Sequence, residues 1–193
     1  MKPGQKFIRQ VGVALIALLS LTLYADEPLT LSGRGTVQVA FTPGDDAAKL
    51  IVTAIGKARR QVLVQAYSFT HKDIAAALVD ARNRGVEVQV IADRYQTDTG
   101  KTTQVGWLIQ QSIPVWIDAE HAAAHNKVMI LDAGTPQATL ITGSFNFTHA
   151  GQHRNAENLL VFTGNPPLAD AYAANWRRHR IHSQKASWNN APP

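Results

Sequence analysis

"QVLVQAYSFTHKDIAAALVDARNRGVEVQVIAD", residues 61–93, holds a strand, a helix and a strand in immediate succession. Residues 61–69 are apolar at nearly every position, as in a strand covered on both faces. Beyond His71, the residues Ile74, Leu78 and Ala81 recur at helical spacing, and Gly85 is placed to end that helix. Val86, Val88 and Val90 then alternate with Glu87 and Gln89. Such a succession is the pattern of a parallel α/β unit.

The neighbouring segments extend the pattern in both directions. Upstream, "TVQVAF" (36–41) alternates like a strand, "TPGDD" supplies turn and helix-start residues, and Leu50, Ala54, Ile55 and Ala58 form one helical stripe between residues 46 and 58. Downstream, residues 94–112 read as a polar loop with a short helix around "VGWLIQQ". "IPVWID" (113–118), "HNKVMILD" (125–132), "ATLITG" (138–143) and "ENLLVF" (157–162) are four further strands, and "PLADAYAANWRRHRIHS" (167–183) is a closing helix. The expected fold is α/β: a mixed, largely parallel β-sheet of about seven strands with helices on both faces.

The 193-residue chain divides unevenly. Lys2, Lys6 and Arg9 precede an uncharged run from Gln10 to Ala25, which predicts a secretory signal peptide over 1–25. A membrane-spanning helix needs ~20 apolar residues, so cleavage is favoured over anchorage. Leu23 is larger than the small residue preferred two places before the cut, which leaves an uncleaved anchor as the alternative. The expected organisation is a linker over 26–35, one domain over 36–184 and a polar tail over 185–193. The expected location is periplasmic or secreted, or else the inner membrane facing the periplasm. Without cysteine there is no disulfide, thiolate metal site or cysteine nucleophile. Of 19 Lys and Arg, three lie in the leader, leaving 16 against 14 acids, so composition alone argues weakly for a polyanionic partner.

Chemistry concentrates in the second half. In an extended strand His125 and Lys127 share a side, so two cationic groups can bracket one phosphate. Taken alone the pair is an ordinary solvated strand end. The next strand ends in "GSFNFT", where Gly143 permits a tight backbone and Ser144 and Asn146 offer hydrogen-bond donors, although turn chemistry explains the same residues. "NAENLLVF" then begins a strand at Glu157. A nucleophile, a cation, neutral donors and a carboxylate thus each stand at a strand end, where open α/β sheets place their sites.

His125, Lys127, Asp132, Gly143, Ser144 and Asn146 together resemble the signature of the phospholipase D superfamily, His-x-Lys, four residues, Asp, then Gly-Ser-x-Asn. "AYSFT", "DIAAALVDARNRGVEV", "HNKVMILD", "TGSFNFT" and "NAENLLV" are similar to the short, single-motif bacterial endonucleases of that superfamily. The resemblance implies the phospholipase D/nuclease fold. Ten residues separate Asp132 from Gly143, more than the family pattern has, so "AGTPQ" is expected to lengthen a hairpin turn and leave the site intact.

The resemblance also implies a mechanism. His125 attacks a phosphodiester phosphorus to form a covalent phosphohistidine, which water resolves, while a second histidine protonates the leaving oxygen. Lys127, Asn146 and Ser144, with Gly143 shaping the backbone, hold the nonbridging oxygens. Glu157 hydrogen-bonds an imidazole nitrogen and fixes its tautomer. Asp132 has opposite strand parity to His125 and Lys127 and is assigned a supporting role in the turn.

One motif per chain leaves the second histidine to be found. A homodimer with the site at its two-fold interface would supply His125 of a second copy; His121, His149 and His153 are the internal rivals. No cofactor or metal is expected. His121 and His125 stand four apart, a spacing that suits a metal on a helix, but this segment reads as loop into strand. Two basic clusters, "RRHR" (177–180) beside Trp176 and Arg59–Arg60, are candidate backbone contacts or ordinary helix-end charges. The expected function is a sequence-nonspecific endonuclease acting on DNA, with RNA as a second substrate. Phospholipid head-group hydrolysis is the alternative, with a membrane involved if the leader is retained or the substrate is lipid, and a noncatalytic nucleic-acid-binding protein is the third reading.

Overall fold

The computed structural model describes residues 28–100 and 102–187. The expected signal peptide lies outside them, as does most of the expected tail. Contacts group Leu31 onward into one unit, separate from the residues up to Thr30.

Strand β1 (Thr36–Thr42) leads into helix α1 (Ala47–Lys57), whose N-cap Asp46 accepts a hydrogen bond from the Lys49 amide at 2.9 Å. Strand β2 (Gln61–Ala66), helix α2 (Lys72–Asn83) and strand β3 (Glu87–Asp93) realise the unit read from residues 61–93. Gly85, at φ +88°, turns the chain after α2 in a conformation that glycine adopts without strain. Two short helices, α3 (Arg94–Thr99) and α4 (Val105–Gln110), precede strand β4 (Val115–Asp118). Strands β5 (Lys127–Leu131) and β6 (Thr139–Gly143), helix α5 (His149–His153), strand β7 (Glu157–Thr163), helix α6 (Pro166–His182) and strand β8 (Gln184–Lys185) follow among the described residues.

The strands form one sheet in the order β1-β7-β6-β5-β2-β3-β4-β8. It is mixed, with helices on both faces, as expected, but it has eight strands and is mostly antiparallel. Among its pairs only β2–β3 and β3–β4 are parallel. The expectation of a largely parallel sheet generalised from the first unit. After β4 the chain reverses and enters beside β2, and β5 returns as β6 through residues 132–138. That connection is too short for a parallel crossover, which takes a dozen residues or more. Lys185, expected in the polar tail, instead pairs with Trp116 in β8.

Alternation along the strands sorts the core into two layers. Val62, Val64, Val90, Met129, Leu131 and Ile141 pack with Ile51 and Ile55 of α1 and Ile74 and Leu78 of α2. Leu63, Ile91, Val128, Ile130 and Leu140 pack with Ala169, Ala173 and Trp176 of α6. The Trp176 indole N–H donates to the Val64 carbonyl at 2.8 Å, which satisfies a polar group that burial would otherwise strand. Trp176 is therefore a core residue and not a nucleic-acid contact beside the arginines.

Strand directions bring the start of β5, the start of β7, and the ends of β2, β3, β4 and β6 to one end of the sheet. Every candidate site residue except Asp132 lies there.

Candidate active site

Lys127 opens β5 and is only 6% exposed. Its ammonium donates to the His125 carbonyl at 2.7 Å and stands 4.7 Å from the centre of the Tyr67 ring. Burial pushes this ammonium below the usual lysine value, opposed by the charges of Glu157 and Asp93, which pull it upward. A buried, charged lysine is costly unless its charge is met, and two carboxylates nearby meet part of it. A phosphate would meet the rest.

His125 lies two residues before the strand proper, exposed to solvent, with its ring 4.4 Å from that of Tyr67. Tyr67 therefore contacts both residues. Its amide donates to the Asn126 carbonyl at 2.9 Å, continuing the β2–β5 pairing, and its hydroxyl accepts from Gln96 Nε2 at 3.1 Å. Asp93, 2% exposed at the end of β3, caps α3 through the Gln96 amide at 2.9 Å and accepts from the Ala124 amide at 2.8 Å. The residue before His125 is thus tied to the sheet.

The "GSFNFT" segment is shaped by alternation. Phe145 and Phe147 are fully buried, so Ser144 and Asn146 project elsewhere, Ser144 into solvent. Ser144 Oγ accepts from the Asn158 amide at 3.0 Å and from Asn158 Nδ2 at 3.3 Å. Gly143 adopts φ +147°, and a Cβ there would collide with the Asn158 carbonyl. Asn146 has a buried Oδ1 that no described group satisfies, the mark of a site completed by water or ligand. Glu157 opens β7 and accepts from Asn155 Nδ2 at 3.0 Å.

Asp132 sits at the other end of β5, roughly 17 Å along the strand from Lys127. Its carboxylate accepts the backbone amides of Arg59 at 2.9 Å, Arg60 at 2.7 Å and Gln61 at 3.0 Å. It clamps the α1–β2 turn and does not join the groups around His125, with which the sequence motif had placed it. The lengthened β5–β6 turn is at this same far end, as are Arg59 and Arg60, around a cleft of about 500 Å³ lined by Leu50, Lys57 and Thr135. That cleft contains none of the groups gathered around His125.

The internal histidines have other partners. His149 and His153 lie against each other within α5, ring centres 4.4 Å apart and planes tilted by 45°, and His121 contacts Asp118 at 3.2 Å. Tyr67 and Asp93 are the residues that sequence reasoning missed as parts of the site. Only the pairing of β2 with β5, and the loop's return over β3, brings them there, and neither is visible from local periodicity.

The assembled end offers an exposed imidazole, a buried ammonium, neutral donors and a nearby carboxylate, a set able to hold an anionic tetrahedral group against a nucleophile. Comparison with known proteins agrees with that chemistry. Residues 51–180 match the family described as "Cardiolipin synthase, PLD-like domain". A "Phospholipase D" of Rickettsia conorii is 34% identical over 198 residues, spanning 91% of this chain and 96% of the relative. A protein of the same name from Rickettsia bellii is 41% identical over 143 residues, 74% of this chain and 68% of the relative. The solved structure of Nuc, a phospholipase D family member from Salmonella typhimurium, superposes with a TM-score of 0.74 at 33% identity, covering 80% of this chain and 99% of that one. The matched region spans the sheet and the residues at its end, and the chain belongs to the phospholipase D superfamily as a hydrolase of phosphodiester bonds.

Proposed function

We propose that the protein is a sequence-nonspecific endonuclease that cleaves DNA, and RNA as a second substrate, through a phosphohistidine on His125. The observation that carries this reading is that the exposed His125 ring and the buried Lys127 ammonium both stand against the Tyr67 ring. An imidazole nitrogen attacks phosphorus as the bond to the leaving oxygen breaks, and a second histidine gives that oxygen its proton. Water, deprotonated by the same second histidine, then attacks phosphorus, and the P–N bond breaks to return His125. Lys127, Ser144 and Asn146 hold the nonbridging oxygens, and Glu157 orients an imidazole. No step in this scheme requires a metal.

The second histidine is His125 of another copy of the chain. His125 is open to solvent, and an exposed apolar row, Val37, Val39 and Phe41 at 50%, 48% and 62%, runs along the edge strand β1. Phe41 pairs with Asn158, the partner of Ser144, so this row starts beside the site. Apolar rows of this kind on a polar surface favour a protein partner. The protein acts in the periplasm or outside the cell, or facing the periplasm if the leader is retained.

The name "Phospholipase D" carried by the Rickettsia relatives favours a second reading, hydrolysis of phospholipid head groups by the same chemistry. Purified protein assayed in excess chelator with plasmid DNA, RNA and phosphatidylcholine vesicles separates the readings. Nicking of plasmid without lipid turnover is expected. Lipid turnover without nucleic-acid cleavage establishes the second reading, and binding of DNA without turnover of any substrate contradicts both.

A further inference from the structure

Outside the phosphate site, four side chains converge on one point. Asp118 ends β4 and is 1% exposed, His121 lies in the loop that leads to His125, and His179 and His182 lie one turn apart near the end of α6. Asp118 Oδ2 is 3.2 Å from His121 Nδ1, 3.1 Å from His179 Nδ1 and 3.2 Å from His182 Nε2. One ligand atom from each residue lies within 4.8 Å of every other. The three rings stand 5.0, 5.2 and 5.2 Å apart.

Hydrogen bonding alone accounts poorly for this arrangement. A carboxylate oxygen has about two lone-pair directions, yet Oδ2 faces three ring nitrogens. Oδ1 is also engaged, with the Glu120 amide at 3.1 Å and His121 at 3.2 Å. Charging all three rings would crowd like charges. Around a tetrahedral ion with ligands at ~2.0–2.1 Å, neighbouring ligand atoms stand ~3.3–3.4 Å apart. The centres of three coordinating imidazoles, each ~1.1 Å farther out, stand about 5.2 Å apart. The distances from Asp118 to the three ring nitrogens and the spacings of the ring centres match these values, while the ligand atoms as a set lie within 4.8 Å of one another.

The geometry points to a divalent transition-metal site, with zinc the best fit, formed by Asp118, His121, His179 and His182. Three imidazoles and one carboxylate are a suitable N/O donor set, and four protein ligands leave the ion closed to substrate. The last turn of α6 adds its carbonyl dipoles, which favour a cation. His182 turns its other nitrogen toward Glu120 at 3.7 Å, as coordinating histidines turn toward an orienting carboxylate. The spacing of His121 and His125 misleads here, because His121 pairs with residues far along the chain and His125 is not in the set.

The site lies at the end of β4, three strand spacings from β5, roughly 14 Å, and so does not touch a phosphate at Lys127. Its role is to fasten the 119–126 loop and the end of α6 to the sheet. Ala124 is already held by Asp93, so a metal at His121 fixes the same loop at a second point before His125.

Metal analysis of untagged full-length protein, purified without chelator, tests the assignment. One zinc per chain should persist through gel filtration and leave on treatment with a strong chelator, with the Tm falling by about 5 °C and returning when zinc is added. Cobalt in place of zinc should give the visible absorption of a four-coordinate ion. His121→Ala, in an exposed loop position, and His182→Ala should each fold, lose that absorption and lose the zinc-dependent rise in Tm. Zinc at buffer background with no saturable Tm response overturns the site, as does an undiminished response in both variants. Neither readout depends on which phosphodiester is cleaved.

Discussion

Lys127 carries an electrostatic signature that bears on its proposed role, because burial weakens its charge while Glu157 and Asp93 sustain it. An ammonium that must stay charged to hold a phosphate stops working as pH rises through its lowered pKa. Activity should therefore fall on the alkaline side as Lys127 loses its proton. Glu157→Gln removes part of what sustains the charge, so the alkaline limb of kcat/KM should move to lower pH in that variant. An unmoved limb would detach Glu157 from Lys127. Lys127→Met should lower kcat by about 10²–10³-fold, as loss of an oxyanion-type donor does. Its Tm should change little, because a buried amine contributes less to stability than an apolar chain of its size.

Strands β5 and β6 separate holding the site from holding the fold. Asp132 receives three backbone amides at the far end of β5, and Asp132→Ala should cost about 2 kcal/mol of stability while leaving kcat of the folded enzyme unchanged. Chemical denaturation beside steady-state kinetics checks both halves. Gly143→Ala should do the reverse of a mild change, forcing a Cβ into the Asn158 backbone and displacing Ser144, with activity lost before the fold is. The same strands show what was legible in the sequence. Alternation and capping residues placed β1, α1, β2, α2 and β3 to within a few residues, because each signal is local. The direction of β5 was not legible, since pairing beside β2 is set by a chain reversal that leaves no periodic trace. His125, Lys127, Gly143 and Ser144 were legible as a motif, whereas Tyr67 and Asp93 join the site only through that pairing. Asp118, His179 and His182 stayed unread because residues about 60 positions apart meet only after α6 crosses the sheet.

For the whole molecule, Tyr67 gathers a single imidazole, His125, with the Lys127 ammonium, and the proposed chemistry needs a second histidine. The metal clasp at Asp118 and the chemistry at His125 make separable demands. In chelator the Tm should fall, while hydrolysis by protein that is still folded persists in a short assay at low temperature. Immediate and complete loss of turnover in still-folded protein would place a metal in the chemistry itself. The shared site is directly testable. Wild-type chain and His125→Asn chain, unfolded together in equal amounts and refolded, distribute at random among dimers. If each site needs His125 from both copies, only the dimers of two wild-type chains turn over, and activity should be about a quarter of that of an all-wild-type sample at the same total concentration. Retention of about half, the value for chains that each carry a complete site, would contradict it.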